Sequence, residues 1–129
     1  MPPYKPEGQP SYVAKYSFYT RNSYKRKISF NLTLNEFVEI ATKNCAYCGA
    51  KPASFNHYKF QKNKMKKFSY DRAEIKINGI DRIDSSKGYE IGNCAPCCKN
   101  CNFAKSKLTV EEFKIHVLKM YTHLFQGKE

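Results

Sequence analysis

The sequence lacks the apolar segments that membrane and secreted proteins need. No run is long enough to span a bilayer, and no apolar stretch follows residues 1–5 as a secretory signal requires. There is also no long basic helix with a clean apolar face, which argues against binding at a membrane surface. We therefore expect an intracellular, cytoplasmic protein in a reducing compartment.

Acidic residues are scarce. The chain has 11 Asp and Glu against 23 Lys and Arg, which gives a formal net charge of +12 and a pI near 9.5. Such an excess fits either a self-repelling soluble surface or a surface that binds the phosphates of a nucleic acid. The 10 Tyr and 9 Phe interspersed with the lysines favour the second interpretation.

The length of 129 residues fits one small domain, which buries about two thirds of its unfolded surface. Residues 1–10 are rich in proline, so we expect no regular structure there and interpret them as a flexible or surface-laid arm. Residues 11–129 are then a single domain, without internal repeats or low-complexity segments.

Three further segments show helical signals. The spacing of Tyr12, Tyr16 and Tyr19 predicts a helix over residues 11–27, whose basic end between Arg21 and Lys27 is either solvated or in contact with a DNA backbone. Two capping boxes, Thr33 with Glu36 and Thr109 with Glu112, predict two more helices. The first should be short and end before Asn44, burying Phe37, Ile40 and Ala41.

The second capping box predicts a final helix over about residues 110–125. Phe113, Val117, Met120 and Leu124 recur along it at helical spacing. We interpret this stripe as part of the core, with a groove for a partner as the lesser alternative.

The segment 50–76 carries the densest basic cluster. Its lysines between Lys59 and Lys67 are spaced by Tyr58, Phe60 and Phe68. They either contact a DNA backbone or protect a solvated hairpin edge from aggregation. Residues 74–78 alternate as a half-buried strand does, and Asn78-Gly79 signals a tight turn or bulge.

Six cysteines lie in two groups. Cys45 and Cys48 form a C-x-x-C pair, and Gly49 after them allows a sharp turn. A second pair would complete a tetrahedral four-thiolate zinc site, which could offset the modest core. Downstream, Cys94 with Cys97 and Cys98 with Cys101 both have this spacing, so spacing alone does not decide between them.

Two residues that are not cysteines could supply oxygen ligands to a second metal ion. Asp81 lies in a short apolar run, and Asn102 follows the last cysteine at the start of a predicted helix. Carboxylate and amide oxygens are the ligands that a magnesium-like ion prefers. Residues 78–107 therefore predict a strand, a loop, a second strand and a helix, with soft and hard ligands separated.

At these residues the chain resembles the HNH endonucleases. The matching residues are Ile80-Asp81-Arg82-Ile83, Gly88, Tyr89 and Asn93, Cys98 to Asn102, Lys105, and upstream Cys45 and Cys48. The resemblance implies an α+β fold, a small ββα-metal core stapled by a four-cysteine zinc site and flanked by amino- and carboxy-terminal helices. It selects Cys45, Cys48, Cys98 and Cys101 as the structural zinc ligands, and leaves Cys94 and Cys97 as buried free thiols.

The resemblance also implies the catalytic residues. Asp81 and Asn102 would bind a catalytic Mg²⁺ or Mn²⁺, and Asn93 would brace the loop. The family usually has a general-base His where this chain has Arg82, and arginine lacks the acceptor lone pair that a base needs. We assign Arg82 to clamping the phosphate, and leave the base to solvent, to a metal-bound water or to His57, the leading substitute side chain.

The function that the resemblance implies is a metal-dependent DNA endonuclease or nicking enzyme, of a kind that phages and mobile elements encode. One alternative is a catalytically weak or inactive HNH fold retained as a DNA-binding or assembly module. A third interpretation, a zinc-ribbon subunit of an RNA–protein assembly, explains the charge and the cysteines but not the placement of Asp81 and Asn102.

Overall fold

The computed structural model describes residues 4–127. Within this range the chain forms five α-helices and four short β-strands in mixed order: α1 Gln9–Lys25, α2 Leu34–Ala41, β1 Ala53–Phe55, α3 Lys67–Arg72, β2 Ile75–Ile77, β3 Gly79–Arg82, β4 Cys94–Cys97, α4 Lys99–Lys105 and α5 Val110–Gln126. Two 3₁₀ helices, Pro6–Gly8 and Lys59–Lys64, complete these elements. None of the helices in residues 4–127 combines the length and apolarity needed to cross a membrane.

The strands form two antiparallel pairs. β1 pairs with β2, and β3 pairs with β4 in a register that places Asp81 opposite Ala95. Asn78 alone separates β2 from β3. Its backbone amide donates to the carbonyl of Ala41, and its side-chain Nδ2 donates to the carbonyls of Lys43 and Ala50. Asn78, where the sequence predicts a tight turn or a bulge, is thus fixed to the end of α2 and to the first cysteine loop.

The core lies where α1 and α2 pack against the strands. Its buried members are mainly aromatic and β-branched: Tyr12, Leu32, Phe37, Val38, Ala41, Ile75, Ile77, Ile80 and Tyr89. Tyr19 of α1 borders this cluster, and its hydroxyl accepts a hydrogen bond from the amide of Ile80. Burial raises the pKa of Tyr19 to about 12, so the hydroxyl remains protonated at neutral pH.

Both predicted capping boxes are confirmed. The Thr33 hydroxyl accepts from the Glu36 amide while the Glu36 carboxylate accepts from the Thr33 amide, and Thr109 and Glu112 repeat this exchange. These bonds satisfy amides that the first helical turn leaves without partners. They set the starts of α2 and α5 where the sequence predicted them.

Part of the expected unstructured arm is regular. Pro6–Gly8 form a 3₁₀ helix, α1 begins at Gln9, and the ring of Tyr4 stacks on Tyr12 at 4.9 Å. Proline is compatible with this position, because the first turn of a helix has no partner for the amide that proline lacks. Residues 1–3 of the predicted arm lie outside the described residues.

The prediction of a buried stripe along the last helix is wrong beyond its first turn. Phe113 is buried, with its ring edge-on to Tyr47, but Val117, Met120 and Leu124 are 48%, 46% and 65% exposed. Periodicity showed that these side chains share a face, but not that the domain covers that face. Only the beginning of α5 packs against the described part of the domain.

Candidate metal centres

The structure gathers four of the six cysteines. The sulfur atoms of Cys45, Cys48, Cys98 and Cys101 all lie within 4.8 Å of one another, and those of Cys48 and Cys98 are 3.6 Å apart. Four sulfurs bound tetrahedrally at about 2.3 Å from a zinc ion are about 3.8 Å apart. The cluster therefore fits a closed zinc site. Of the two downstream pairs, the geometry selects Cys98 with Cys101.

Local backbone geometry turns both cysteine pairs toward one point. Gly49 has φ +77°, a conformation that side chains disfavour, and its amide donates to the carbonyl of Cys45. The Tyr47 amide donates to the Cys45 sulfur, and the Cys101 amide donates to the Cys98 sulfur, each at 3.4 Å. Such bonds favour thiolates, the form that binds zinc.

The two cysteine segments are also joined through the backbone. The amide of Ala46 donates to the carbonyl of Pro96 on β4 at 2.9 Å, so the first cysteine loop docks beside the strand that leads into the second. Cys98 then caps α4 through its sulfur. The four-sulfur cluster thus connects the β3–β4 hairpin, α4 and the loop after α2.

Cys94 and Cys97 lie on β4 outside the cluster. Cys97 is buried and Cys94 is partly buried, and both are free thiols. Burial raises the pKa of Cys94 to about 11 and raises that of Cys97 further. Neutral thiols behave as small apolar side chains, which suits a core-facing strand.

Asp81 is the buried acid at the centre of the hairpin. Its Oδ2 accepts a hydrogen bond from the Tyr47 hydroxyl at 2.8 Å and lies 3.0 Å from Nζ of Lys105. The Lys105 side chain is fully buried, and its Nζ also donates to the carbonyl of Arg82 at 3.3 Å. One carboxylate thus joins β3 to α4 and to the first cysteine loop.

Sequence reasoning missed the partners of Asp81. Tyr47 was visible only as the residue between two zinc ligands, and Lys105 was matched to the HNH pattern without a role. Burial raises the pKa of Tyr47, and the hydrogen bond to Asp81 raises it further, so Tyr47 acts as a donor. The one signal in the sequence that could have identified Tyr47 was its position between Cys45 and Cys48, which holds its backbone at the four-sulfur cluster.

Asn102 lies on α4, three residues before Lys105, and is exposed to solvent. Residues three apart lie on neighbouring positions of one helix face, and Lys105 on this face reaches β3. The Lys105 side chain is buried against Asp81, whereas the Asn102 side chain faces solvent. The hard donors that the resemblance assigns to a divalent ion are the Asp81 carboxylate and the Asn102 amide oxygen. Their chemistry fits Mg²⁺ or Mn²⁺, since such ions need few protein ligands and keep several waters.

Arg82 braces the loop between β3 and β4. Its Nη1 donates to the carbonyls of Ser85 and Lys87 at 2.8 and 2.9 Å, and its guanidinium lies over the ring of Tyr89 at 5.6 Å. These contacts fix the orientation of a planar cation beside the strand that carries Asp81.

Asn93 is buried at the base of the same loop. Its Oδ1 accepts from the amide of Asp84, and its Nδ2 donates to the carbonyls of Asp84 and Gly88 at 3.1 and 2.8 Å. An asparagine offers both an acceptor and donors, which is what this closed set of backbone groups requires.

His57 lies in a different part of the molecule. It packs against Tyr58, its amide donates to Ser11, and it lines a cleft between α1 and the segment after β1. The structure thus associates His57 with this cleft rather than with Asp81.

The cleft brings together the two basic regions that the sequence singled out. Arg21 from α1 and Lys59 from the 3₁₀ helix line one cavity of about 340 Å³, together with Lys15, Phe18, Phe55 and Phe60. Nζ of Lys15 lies 4.5 Å from the centre of the Phe55 ring. Burial lowers the pKa of Lys15, and the positive charges of Lys59 and Lys99 lower it further.

No acid neutralises these cations in the described part of the chain. The ion pairs in residues 4–127 are Lys67–Asp71, Lys105–Asp81 and Lys114–Glu111. Lys15, Lys59 and Lys99 therefore form an uncompensated positive group beside exposed aromatic rings.

Comparison with known proteins supports the fold. The structure of the rare-cutting HNH restriction endonuclease PacI superposes with a TM-score of 0.54 at 22% identity, covering 81% of this chain and 72% of that one. The chain therefore has the predicted α+β, HNH-type fold. It is also 34% identical over 99 residues to uncharacterized protein R423 of Acanthamoeba polyphaga mimivirus, which covers 77% of this chain and 15% of the viral protein. No family model matches the chain.

Proposed function

We propose that this protein is a DNA endonuclease that hydrolyses phosphodiester bonds in an active site built around Asp81. The observation that carries the proposal is the buried Asp81 carboxylate, held on the hairpin of an HNH-type fold by Tyr47 and Lys105. Six free cysteines, four of them clustered, fit the reducing intracellular setting of a phage or mobile element.

The residues around Asp81 orient its carboxylate to bind a divalent ion. Tyr47 and Lys105 fix the carboxylate in one orientation through two bonds to Oδ2. The carboxylate still has acceptor capacity, since an ionised carboxylate accepts about four hydrogen bonds or ligand contacts. Asn102 supplies the second oxygen donor. Mg²⁺ or Mn²⁺ bound by this pair would act as a Lewis acid toward the scissile phosphate.

Arg82 is proposed to bind the scissile phosphate. Its Nη1 is engaged by the loop carbonyls, and its other nitrogens carry further N–H donors. A guanidinium oriented in advance stabilises the charge that grows in the transition state without reorganising. The Arg82 guanidinium is not a general base, so we assign proton removal from the attacking water to solvent.

We propose that the Lys15–Arg21–Lys59 cleft binds the DNA. The support is that two basic regions distant in sequence converge there with exposed Phe18 and Phe60. Phosphates would relieve the repulsion among the lysines, and aromatic rings stack on bases. Lys15→Gln combined with Lys59→Gln should weaken DNA binding and flatten its salt dependence, whereas Lys51→Gln, an exposed matched control, should not.

A second candidate function also has a specific observation in its favour. Nζ of Lys105 already supplies a cation 3.0 Å from Asp81, where a divalent ion would otherwise neutralise the carboxylate. A permanently paired Asp81 would suit a catalytically weak HNH fold that binds DNA or takes part in an assembly. Loss of a general base alone lowers a rate by about two to four decades and does not abolish it.

A plasmid-nicking assay in Mg²⁺ or Mn²⁺ separates the two functions. The assay compares the wild type with Asp81→Asn, which keeps the side-chain shape, with Asp81→Ala, and with Arg82→His, which restores a possible base. Zinc content and circular dichroism establish that each variant is folded. A gel-shift assay without added Mg²⁺ or Mn²⁺ measures DNA binding independently of cleavage.

We expect the wild type to nick, both Asp81 variants to lose nicking while still shifting DNA, and Arg82→His to change the rate. A wild type that shifts DNA but never nicks under any divalent ion would overturn the endonuclease proposal and establish the binding module. Undiminished nicking by folded Asp81→Ala would show that the chemistry lies elsewhere.

A further inference from the structure

The Lys15–Arg21–Lys59 cleft is lined by aromatic rings as well as by cations. Phe18 of α1 is 53% exposed, and Phe60 of the 3₁₀ helix Lys59–Lys64 is 87% exposed. Both line this cleft together with Phe55. A single exposed apolar side chain is normal on a protein surface. Two exposed rings from distant parts of the sequence at one cavity instead indicate a ligand with flat apolar faces.

Lysine charges lie directly beside these rings. Nζ of Lys15 lies 4.5 Å and Nζ of Lys59 lies 6.0 Å from the centre of the Phe55 ring. Nζ of Lys59 also lies 5.1 Å from the centre of the Phe60 ring. These cation–π contacts hold the ammonium groups close to the rings. A ligand in the cleft therefore meets positive charge and aromatic faces together.

α1 repeats this combination along one side of the helix. Lys15, Phe18 and Arg21 recur every three residues, and all three line the cleft. Residues at this spacing are neighbours on a helix, each about 4.5 Å further along its axis. One ring thus lies between two cations, an arrangement that fits a base with the phosphates on either side of it.

An aromatic ring distinguishes unpaired from paired DNA. In a duplex both faces of each base are stacked, so a ring reaches them only by opening a base step, which costs free energy. In a single strand these faces are free, and they stack on aromatic side chains whatever the sequence. The cleft volume of about 340 Å³ lies near the lower end of the about 300–1,000 Å³ of small-ligand sites. A space of this size admits a nucleotide but not a double helix.

We propose that the Lys15–Arg21–Lys59 cleft binds unpaired nucleotides, so that the substrate of this protein is DNA with a single-stranded segment. The inference rests on the proposed endonuclease function and narrows its substrate class. Lys99, the first residue of α4, is close enough to Lys15 for its charge to help lower the pKa of that lysine. The cleft therefore lies near the helix that also carries Asn102.

Fluorescence anisotropy of the zinc-loaded chain, without Mg²⁺ or Mn²⁺ and at about 150 mM NaCl, tests the proposal. The probes are a labelled DNA strand of about 16 nucleotides, the upper end of the site that one small single-strand-binding domain covers, and its duplex with the complementary strand. Phe18→Leu combined with Phe60→Leu removes both flat faces but keeps every cation. Phe125→Leu is the matched control, the same change at a 76% exposed phenylalanine on α5.

We expect the wild type and Phe125→Leu to bind the single strand at least about fivefold more tightly than the duplex. The double variant should bind the single strand at least about fivefold more weakly than the wild type, the effect of losing one stacked base, with duplex binding changed by less than about twofold. Circular dichroism and zinc content establish that it is folded. If it is not, Phe60→Leu alone makes the same comparison.

The absence of tryptophan from the sequence allows stacking to be measured directly. Phe60→Trp introduces one indole into the cleft, and Phe125→Trp introduces one on α5 as the control. A base stacked on an indole quenches its fluorescence. We expect the single strand to quench Phe60→Trp strongly and Phe125→Trp little, and the duplex to quench neither strongly.

Equal affinity of the wild type for single strand and duplex overturns the inference. So does single-strand binding that the leucine changes leave intact, or an indole in Phe60→Trp that the single strand does not quench. Plasmid nicking that depends on Asp81 would still stand in these cases. Conversely, a chain that never nicks but binds single strands through Phe18 and Phe60 retains the unpaired-nucleotide site and loses only the endonuclease function.

Discussion

The hydroxyl of Tyr47, a residue that lies between two cysteines of the four-sulfur cluster, donates a 2.8 Å hydrogen bond to the carboxylate of Asp81. Cys45 and Cys48 hold the backbone on either side of it, so the zinc cluster fixes the position from which this hydroxyl reaches β3. The four-sulfur cluster and the candidate catalytic acid are therefore linked, through Tyr47 from the first cysteine loop and through Lys105 from α4.

Tyr47→Phe should remove the hydrogen bond that connects the four-sulfur cluster to Asp81. The phenyl ring can still pack against Phe113, but Asp81 loses a donor. A hydrogen bond to a charged group contributes about 1.5–3 kcal/mol, so urea unfolding should show a loss of that order. We also expect nicking to slow roughly tenfold, the effect of about 1.4 kcal/mol on a barrier, with zinc content unchanged.

Tyr24→Phe is the matched control, because Tyr24 is 86% exposed and loses the same hydroxyl. If Tyr47→Phe and Tyr24→Phe have the same unfolding free energy and the same nicking rate, the hydrogen bond between Tyr47 and Asp81 contributes to neither stability nor activity.

Lys105→Met should leave Asp81 as a buried carboxylate without its ammonium partner. Removing one member of a buried ion pair costs about 3–5 kcal/mol, which a thermal or urea melt can measure. Adding Asp81→Asn to Lys105→Met should recover part of this loss, because no unpaired charge then remains.

The same variant reports on the divalent site. If Lys105 and a divalent ion compete for Asp81, Mg²⁺ should raise the melting temperature of Lys105→Met by more than that of the wild type. Equal shifts in the two proteins would show that Lys105 does not oppose binding of the ion.

Cys45→Ser and Cys94→Ser should differ sharply. Cys45 belongs to the four-sulfur cluster, and structural zinc contributes on the order of 10–16 kcal/mol in small domains. We expect Cys45→Ser to lose zinc and unfold, and Cys94→Ser to keep zinc at a cost of about 1–3 kcal/mol for the partly buried hydroxyl. Metal analysis with circular dichroism checks both, and equal tolerance would refute the ligand assignment.

Tyr19 should make the fold sensitive to strong alkali. Its pKa is raised from an ordinary value near 10 to about 12, mainly by burial, so the folded state favours the protonated hydroxyl. This contribution is complete below pH 10 and is lost as the pH rises from 10 to 12, about 3 kcal/mol in total.

The difference in unfolding free energy between the wild type and Tyr19→Phe isolates this effect from the lysines. That difference should be constant below pH 10 and should fall by about 3 kcal/mol toward pH 12. A difference that stays flat across this range would contradict the assignment.

Local features of the fold were predictable from the sequence. The capping boxes place Thr33 and Thr109 at helix starts because each uses groups within four residues. The alternation of Ile75, Lys76 and Ile77 gives the half-buried strand β2. The order strand, loop, strand, helix is likewise as predicted. The resemblance to HNH endonucleases then selected the cysteines that the structure brings together.

The errors have one physical origin. Proline composition predicted no regular structure before Ser11, but Tyr4 packs on Tyr12 and the prolines occupy helix starts that tolerate them. Helical periodicity predicted a buried face for α5, but burial depends on what lies opposite that face. Neither composition nor periodicity contains information about distant neighbours.

The sequence by itself determined the elements that short-range hydrogen bonds and side-chain period specify, the excess positive charge, and the residue types able to bind zinc and a hard divalent ion. The tertiary structure alone decided that Tyr47 and Lys105 meet at Asp81, that Arg21 and Lys59 share a cleft, and that α5 stands uncovered. These relationships join residues far apart in the chain, and only packing of the whole domain brings such residues within bonding distance.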